Sequence, residues 1–173
     1  MKTLIIIGHP DFSQSKAVKA LLDTLPANAD ITVHDIAAAY PDGKIDIEKE
    51  LALMEAHERV VLQFPIHWFG VPAVLKNWID QVFGNGWTGD GGHRLNGKPF
   101  ALAFTSGITA DVYQKDKFGY TVNDLMNTVY ASIHYVKGEF VGQVHIGGIP
   151  VGGAPDTESL NAVKDKYRKL VQG

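Results

Sequence analysis

The feature that most restricts how this chain can fold is its rhythm. Short, continuous apolar runs alternate with stretches where apolar residues return every three or four positions. Thr3 to Ile7 is an unbroken run of the kind found in strands buried on both faces of a parallel sheet. Val18, Leu21, Leu22 and Leu25 then recur at helical spacing until Pro26. Strands are predicted over Ile31 to Ile36, whose alternation places it nearer an edge, over Arg59 to Phe64 and over Phe100 to Phe104. Phe140, Gly142, Val144 and Ile146 alternate as a fifth. Between them, helical spacing runs through Ile47, Leu51 and Met54, then through Val74, Leu75, Trp78, Ile79 and Val82. It returns in Val122, Leu125, Met126, Val129 and Ile133. Leu160, Val163, Tyr167 and Leu170 form a last helix with Asp156 or Thr157 as its cap. Strands alternating with helices imply an α/β fold: a doubly wound, five-stranded, mostly parallel sheet with helices on both faces. The 173 residues fit one domain of this kind, spanning 1–173.

Several function classes drop out early. The net charge of −3 argues against a general attraction to nucleic acid or to an anionic membrane. Without cysteine there is no thiolate metal site, disulfide or cysteine nucleophile. The run after Lys2 is broken by Gly8-His9-Pro10, too short for a secretory segment of about 7–15 apolar residues. Val60 to Leu75 is interrupted by Gln63, Pro65, His67 and Pro72, and a bilayer span needs about 20 largely apolar residues. The chain therefore reads as soluble and cytoplasmic. Its histidines form no H-x-x-x-H or H-x-H pair, so no metal site is expected. There is no P-loop pattern and no G-x-S-x-G elbow. Gly84-Asn85-Gly86-Trp87-Thr88-Gly89 matches G-x-G-x-x-G, but it follows a helical pattern and opens no helix, so a loop is expected there.

Three turns remain. In a sheet ordered 2-1-3-4-5 the crevice lies between strands one and three, beside strand four. After strand one, His9 to Lys16 leads into a helix whose N–H groups and dipole suit phosphate. Ser13 or Ser15 would also serve as a simple cap. After strand three, Gln63 to Pro72 holds two adjacent aromatics and two prolines, either a shelf for a flat heterocycle or a packing corner. After strand four, Thr105-Ser106-Gly107 offers a tight turn with consecutive N–H groups. Phosphate at one end and a flat ring at the other describe a flavin.

The run Gln63-Phe64-Pro65-Ile66-His67-Trp68-Phe69-Gly70-Val71-Pro72, continuing to Trp78, resembles the signature of flavodoxin-like NAD(P)H:quinone oxidoreductases. That group spans DT-diaphorase-like enzymes, short bacterial general-stress reductases and ancillary subunits of potassium-efflux systems. The spacing from Thr105-Ser106-Gly107 to Tyr113 also agrees. The resemblance implies a flavin-dependent two-electron reductase working in ping-pong order with NAD(P)H and a quinone-like acceptor. It implies FMN, with FAD as the alternative. His9, Ser15 and Lys16 would hold phosphate, and Pro65, Ile66, Trp68 and Phe69 the ring. Thr105, Ser106 and Gly107 would meet its pyrimidine end, and Tyr113 would be catalytic. A homodimer with the site at its interface is implied, with Trp87, Phe118 and His67 on the substrate side. Two positions depart from the pattern. Gly119 stands where DT-diaphorase-like members have a relay histidine, leaving solvent or His67 as substitute, and Ile108 replaces a second glycine. The alternative function is a flavodoxin-type carrier, or a flavin-binding regulatory subunit of a partner such as a transporter.

Overall fold

The computed structural model describes residues 1–87 and 94–173, with 86 and 87 by backbone alone. Five strands form one sheet: β1 (Thr3–Ile7), β2 (Ile31–Asp35), β3 (Arg59–Pro65), β4 (Pro99–Thr105) and β5 (Glu139–Ile146). Every pairing is parallel and the order is β2-β1-β3-β4-β5. The helices are α1 (Lys16–Leu22), α2 (Ile36–Ala39), α3 (Ile47–Glu55), α4 (Ala73–Trp87), α5 (Val122–Leu125), α6 (Asn127–Tyr135) and α7 (Thr157–Gln172).

Alternation along each strand divides the core into two layers. Leu4, Ile6, Leu62, Phe64, Leu102 and Phe104 face α3, α4 and α6, where Leu51, Trp78 and Val129 meet them. Ile5, Ile7, Val61, Ala103 and Val144 face α1 and α7, packing on Leu21 and Tyr167. The central strands are covered on both sides because the crossover connections place helices on both faces. Gly8 lets the end of β1 approach α4. A Cβ there would lie 2.7 Å from that of Leu75.

The structure departs from the sequence expectations in five places, each for a local reason. The first helix stops at Leu22, short of Leu25 and Pro26, where the Thr24 hydroxyl donates to Leu21 O at 2.7 Å. The second strand stops at Asp35, whose carboxylate accepts from the N–H groups of Ala37 and Ala38 and opens α2. The helix expected from Val122 to Ile133 is broken at Met126 into α5 and α6, the first opened by the Thr121–Asp124 capping box. At Gly84 the expected loop is helix as far as Trp87. Glycine costs a helix only about 1 kcal/mol, while Ile79, Val82 and Phe83 bury on the core. The rest of that glycine motif lies outside the described residues. Finally, β5 carries a bulge. Phe100 pairs with Phe140, but Ala101 pairs with Gly142, so Val141 is an extra residue. Even-numbered positions change face there. Phe140 is 40% exposed and packs on Tyr130, whereas Val144 and Ile146 are buried on the opposite layer.

Candidate functional site

The carboxyl ends of β1, β3 and β4 lie side by side, and the turns that follow them enclose a cavity of about 340 Å³. The first turn contributes His9, Gln14, Ser15, Lys16 and Ala17. The second contributes Pro65, Ile66 and His67, and the third Thr105, Ser106 and Gly107. A shallower hollow of about 220 Å³ adjoins it, sharing Ile66, Ser106 and Gly107 and adding Trp68, Phe69, Ile108 and Tyr113. Of the sequence-predicted residues, Phe118 lines neither hollow. Its ring packs on Phe69 at 5.2 Å and on Tyr113 at 5.5 Å, so it backs the second one. The side chain of Trp87 lies outside the described residues. The loop after β5 was not selected from sequence, yet Ile149 to Gly153 closes one wall of the larger cavity. Its glycine richness and its place at a strand's carboxyl end were the signals available.

Each turn is shaped by identifiable bonds. Ser15 caps α1, its hydroxyl accepting from the Val18 N–H at 3.3 Å, which leaves the N–H groups of Lys16 and Ala17 without protein partners among the described residues. His9 Nδ1 accepts from the Asp11 N–H at 3.0 Å. Burial, then the neighbouring His67, holds the His9 imidazole below its usual pKa. It is therefore neutral at pH 7 when no anion is present.

The second turn is a tight hairpin. His67 and Gly70 exchange backbone bonds of 2.9 and 3.0 Å, and both residues between them, Trp68 and Phe69, have positive φ, at 45° and 65°. Each non-glycine residue in this region costs roughly 1–2 kcal/mol. The strain holds Trp68 out from the surface, 93% exposed, while Ile66 N–H ties the base of the turn to Thr105 O at 2.7 Å.

The third turn rests on β5. Ser106 N–H donates to Ile146 O at 2.9 Å, Gly148 N–H to Ile108 O at 3.1 Å and Ile149 N–H to Ser106 O at 3.0 Å. The N–H groups of Gly107 and Ile108 have no partner among the described residues. Gly107 itself does not adopt the positive φ expected of a turn glycine. The tight packing falls instead on Gly147, where a Cβ would lie 2.5 Å from Ile108 O. Tyr113 is buried, with its ring against His145 and Phe118, and its hydroxyl makes no hydrogen bond among the described residues.

A doubly wound parallel sheet with a crevice between β1 and β3, donor N–H groups at two of its turns and an aromatic hairpin at the third defines a ligand-binding protein of the flavodoxin-like class. Residues 1–171 match the family described as having a flavodoxin-like fold, and the chain belongs to it. An uncharacterised NAD(P)H oxidoreductase of Bacillus subtilis, YrkL, is 39% identical over 143 residues, 82% of either chain. The glutathione-regulated potassium-efflux system ancillary protein KefG of Cronobacter sakazakii is 38% identical over 127 residues, 72% of this chain and 69% of its own. The crystal structure of general stress protein 14 from Treponema denticola in complex with FMN superposes with a TM-score of 0.81. It is 34% identical, covering 98% of this chain and 95% of that one.

Proposed function

We propose that this protein is a flavin-dependent NAD(P)H oxidoreductase that reduces quinones or similar flat acceptors, with FMN as its cofactor. The observation that carries the reading is the meeting of the three turns on two adjoining hollows. The larger hollow suits a phosphate and its chain. Lys16 and Ala17 offer free N–H groups, Lys16 adds a cation at the rim, and His9, its Nδ1 accepting from Asp11 N–H, keeps Nε2–H as a neutral donor to a phosphate oxygen. The shallower hollow suits a flat ring, bounded by Ile66 and the aromatic hairpin on one side and by the N–H groups of Gly107 and Ile108 on the other. The FMN held by the Treponema relative supports FMN over FAD.

Bound there, FMN would supply a centre that accepts hydride from NAD(P)H and delivers it to an acceptor. The protein's part is to bind, orient and stabilise. Thr105, Ser106 and Gly107 form the turn that would aim the free N–H groups of Gly107 and Ile108 at developing negative charge on the ring. Pro65, Ile66, Trp68 and Phe69 would hold the ring. Tyr113 offers an unpaired hydroxyl to a substrate oxygen, with Phe118 and His67 flanking the opening. NAD(P)H and acceptor would take turns at the same shallow opening beside Trp68, Phe69 and Tyr113, in ping-pong order. A cytoplasmic homodimer belongs to the same proposal, since a second copy covering the exposed rings of Trp68 and Tyr120 would finish the acceptor side.

The likeness to KefG favours a second reading, a flavin-binding regulatory subunit docked on a membrane transporter. Among the described residues, no helix is long and apolar enough to cross a membrane, so such a partner would be bound peripherally. One experiment separates the two. FMN is titrated into the purified protein, NADPH is added, and menadione follows. Bleaching and rapid recovery of the flavin spectrum are expected. Bound flavin that NADPH and NADH leave oxidised would transfer the case to the regulatory reading.

A further inference from the structure

Ser106 has one hydroxyl proton and two neighbours within reach of it. Its Oγ lies 2.7 Å from the carbonyl oxygen of Ile108 and 2.7 Å from Nε2 of His145. A carbonyl can only accept, so the hydroxyl proton points to Ile108 and Nε2 must be the donor to Oγ. This assigns the tautomer of His145: proton on Nε2, lone pair on Nδ1. The ring is clamped as well, stacked on Phe104 at 5.2 Å and set edgewise to Tyr113 at 5.8 Å. Burial pushes its pKa down to about 4, which keeps it neutral at pH 7. The extra residue in β5 brings it here by placing His145, and not Val144, opposite Phe104.

The relay His145 Nε2–H to Ser106 Oγ–H to Ile108 O spans the third turn from end to end. The N–H groups of Gly148 and Ile149 hold the carbonyls of Ile108 and Ser106 from the β5 side. With those carbonyls engaged, the turn offers a ligand its two free N–H groups, at Gly107 and Ile108. We infer that His145 is a positioning residue which, acting through Ser106, presents these N–H groups to the electron-rich end of the cofactor ring. It is not a replacement for the relay histidine whose position Gly119 occupies. A proton on Nε2 committed to Ser106, on a ring that stays neutral, holds a dipole in place and carries no proton to substrate. The inference rests on the proposed flavin site and adds to it a residue from a strand that supplies no wall to either hollow.

The test compares wild type with His145→Phe, which keeps the stacked ring but has no donor, and His145→Gln, which keeps a donor. Ser106→Ala and the double variant His145→Phe/Ser106→Ala complete a cycle. FMN affinity is read by fluorescence and the midpoint potential of bound FMN by redox titration. The tautomer is read by imidazole ¹⁵N NMR on the flavin-free wild type. The Nε2–H form is expected, with no titration between pH 8 and pH 5. His145→Phe should bind FMN about tenfold more weakly and lower its two-electron potential by about 30 mV, the equivalent of a tenfold change in equilibrium. His145→Gln should recover most of both losses, and Ser106→Ala should add little to His145→Phe. An Nδ1–H tautomer, a His145→Phe protein with unchanged affinity and potential, or a His145→Gln protein as impaired as the Phe variant would each overturn the inference. Should His145→Phe not fold, the tautomer and the Gln variant decide alone. Wild type that binds no flavin removes the proposed function along with this inference, whereas flavin-binding wild type with indifferent variants removes only the latter.

Discussion

At the scale of single residues, the site divides into groups that touch a ligand and groups that hold them. On the proposed function Tyr113 belongs with the first: it is buried, packed between Phe118 and His145, and its hydroxyl is unspent among the described residues. Tyr113→Phe is expected to lower kcat at least about tenfold, within the range of a lost proton donor, while the FMN dissociation constant stays unchanged. Steady-state kinetics beside a fluorescence titration check this. His145, which we place in the second group, leaves a mark on stability. Its folded pKa of about 4 lies below the unfolded value near 6.5, so below pH 6.5 the unfolded chain binds the extra proton and the folded one does not. Stability should therefore fall as pH drops from about 6.5 to about 4 and gain nothing from this residue above that window. At about 1.4 kcal/mol per unit, the loss reaches about 3 kcal/mol at the acid end. Urea denaturation across that range should show a flatter acid limb in His145→Gln.

At the scale of elements, two short segments do work that neither helices nor strands do. The Trp68–Phe69 hairpin keeps two bulky residues at positive φ, where asparagine or glycine is the usual choice. Trp68 buries almost nothing in return. Trp68→Asn is therefore expected to stabilise the fold by about 0.5–1 kcal/mol, or roughly 1–4 °C in Tm, while quinone turnover falls. A melting curve that drops would contradict the strain argument. Behind the third turn, Gly147 abuts Ile108 O and the Ala110 nitrogen, at 2.5 and 2.8 Å from where a Cβ would stand. Both are backbone atoms, so Gly147→Ala must part the two loops. The expected result is a loss of about 1–3 kcal/mol together with weakened FMN binding, measured by thermal denaturation and fluorescence on one preparation.

For the whole molecule, the crevice exists because α1, β3 and α7 are locked together beneath it. Gln63 in the central strand donates to Val18 O at 3.0 Å and accepts from the Tyr167 hydroxyl at 2.5 Å, all of it buried. Tyr167→Phe would strand the Gln63 carbonyl oxygen away from water, a penalty of about 1–3 kcal/mol. At about 2–4 °C per kcal/mol for a chain of this size, the melting temperature should fall by several degrees. Thermal unfolding followed by circular dichroism measures it, and an unchanged midpoint would show that the oxygen finds another donor. The Glu50 carboxylate on the opposite layer, fully buried, accepts from Tyr40 and Trp78 at 2.5 and 2.8 Å and ties α3 to α4.

The order of elements and the three turns worth attention were legible in the chain itself, because hydrophobic period is a local property. Four consecutive residues of Leu-Ile type, as in Leu4 to Ile7, or apolar side chains every third or fourth position, say which way a segment buries wherever it ends up. What the local pattern could not carry was parity and partnership. One extra residue at Val141 reversed the face of every side chain after it, and so turned His145 toward Ser106 and Phe104. The Gly147–Ile149 segment looked like any glycine-rich loop until parallel pairing of β4 with β5 laid it beneath the third turn. A hydrogen bond between residues 39 positions apart depends on the register of two strands. Register is decided by packing the whole sheet at once.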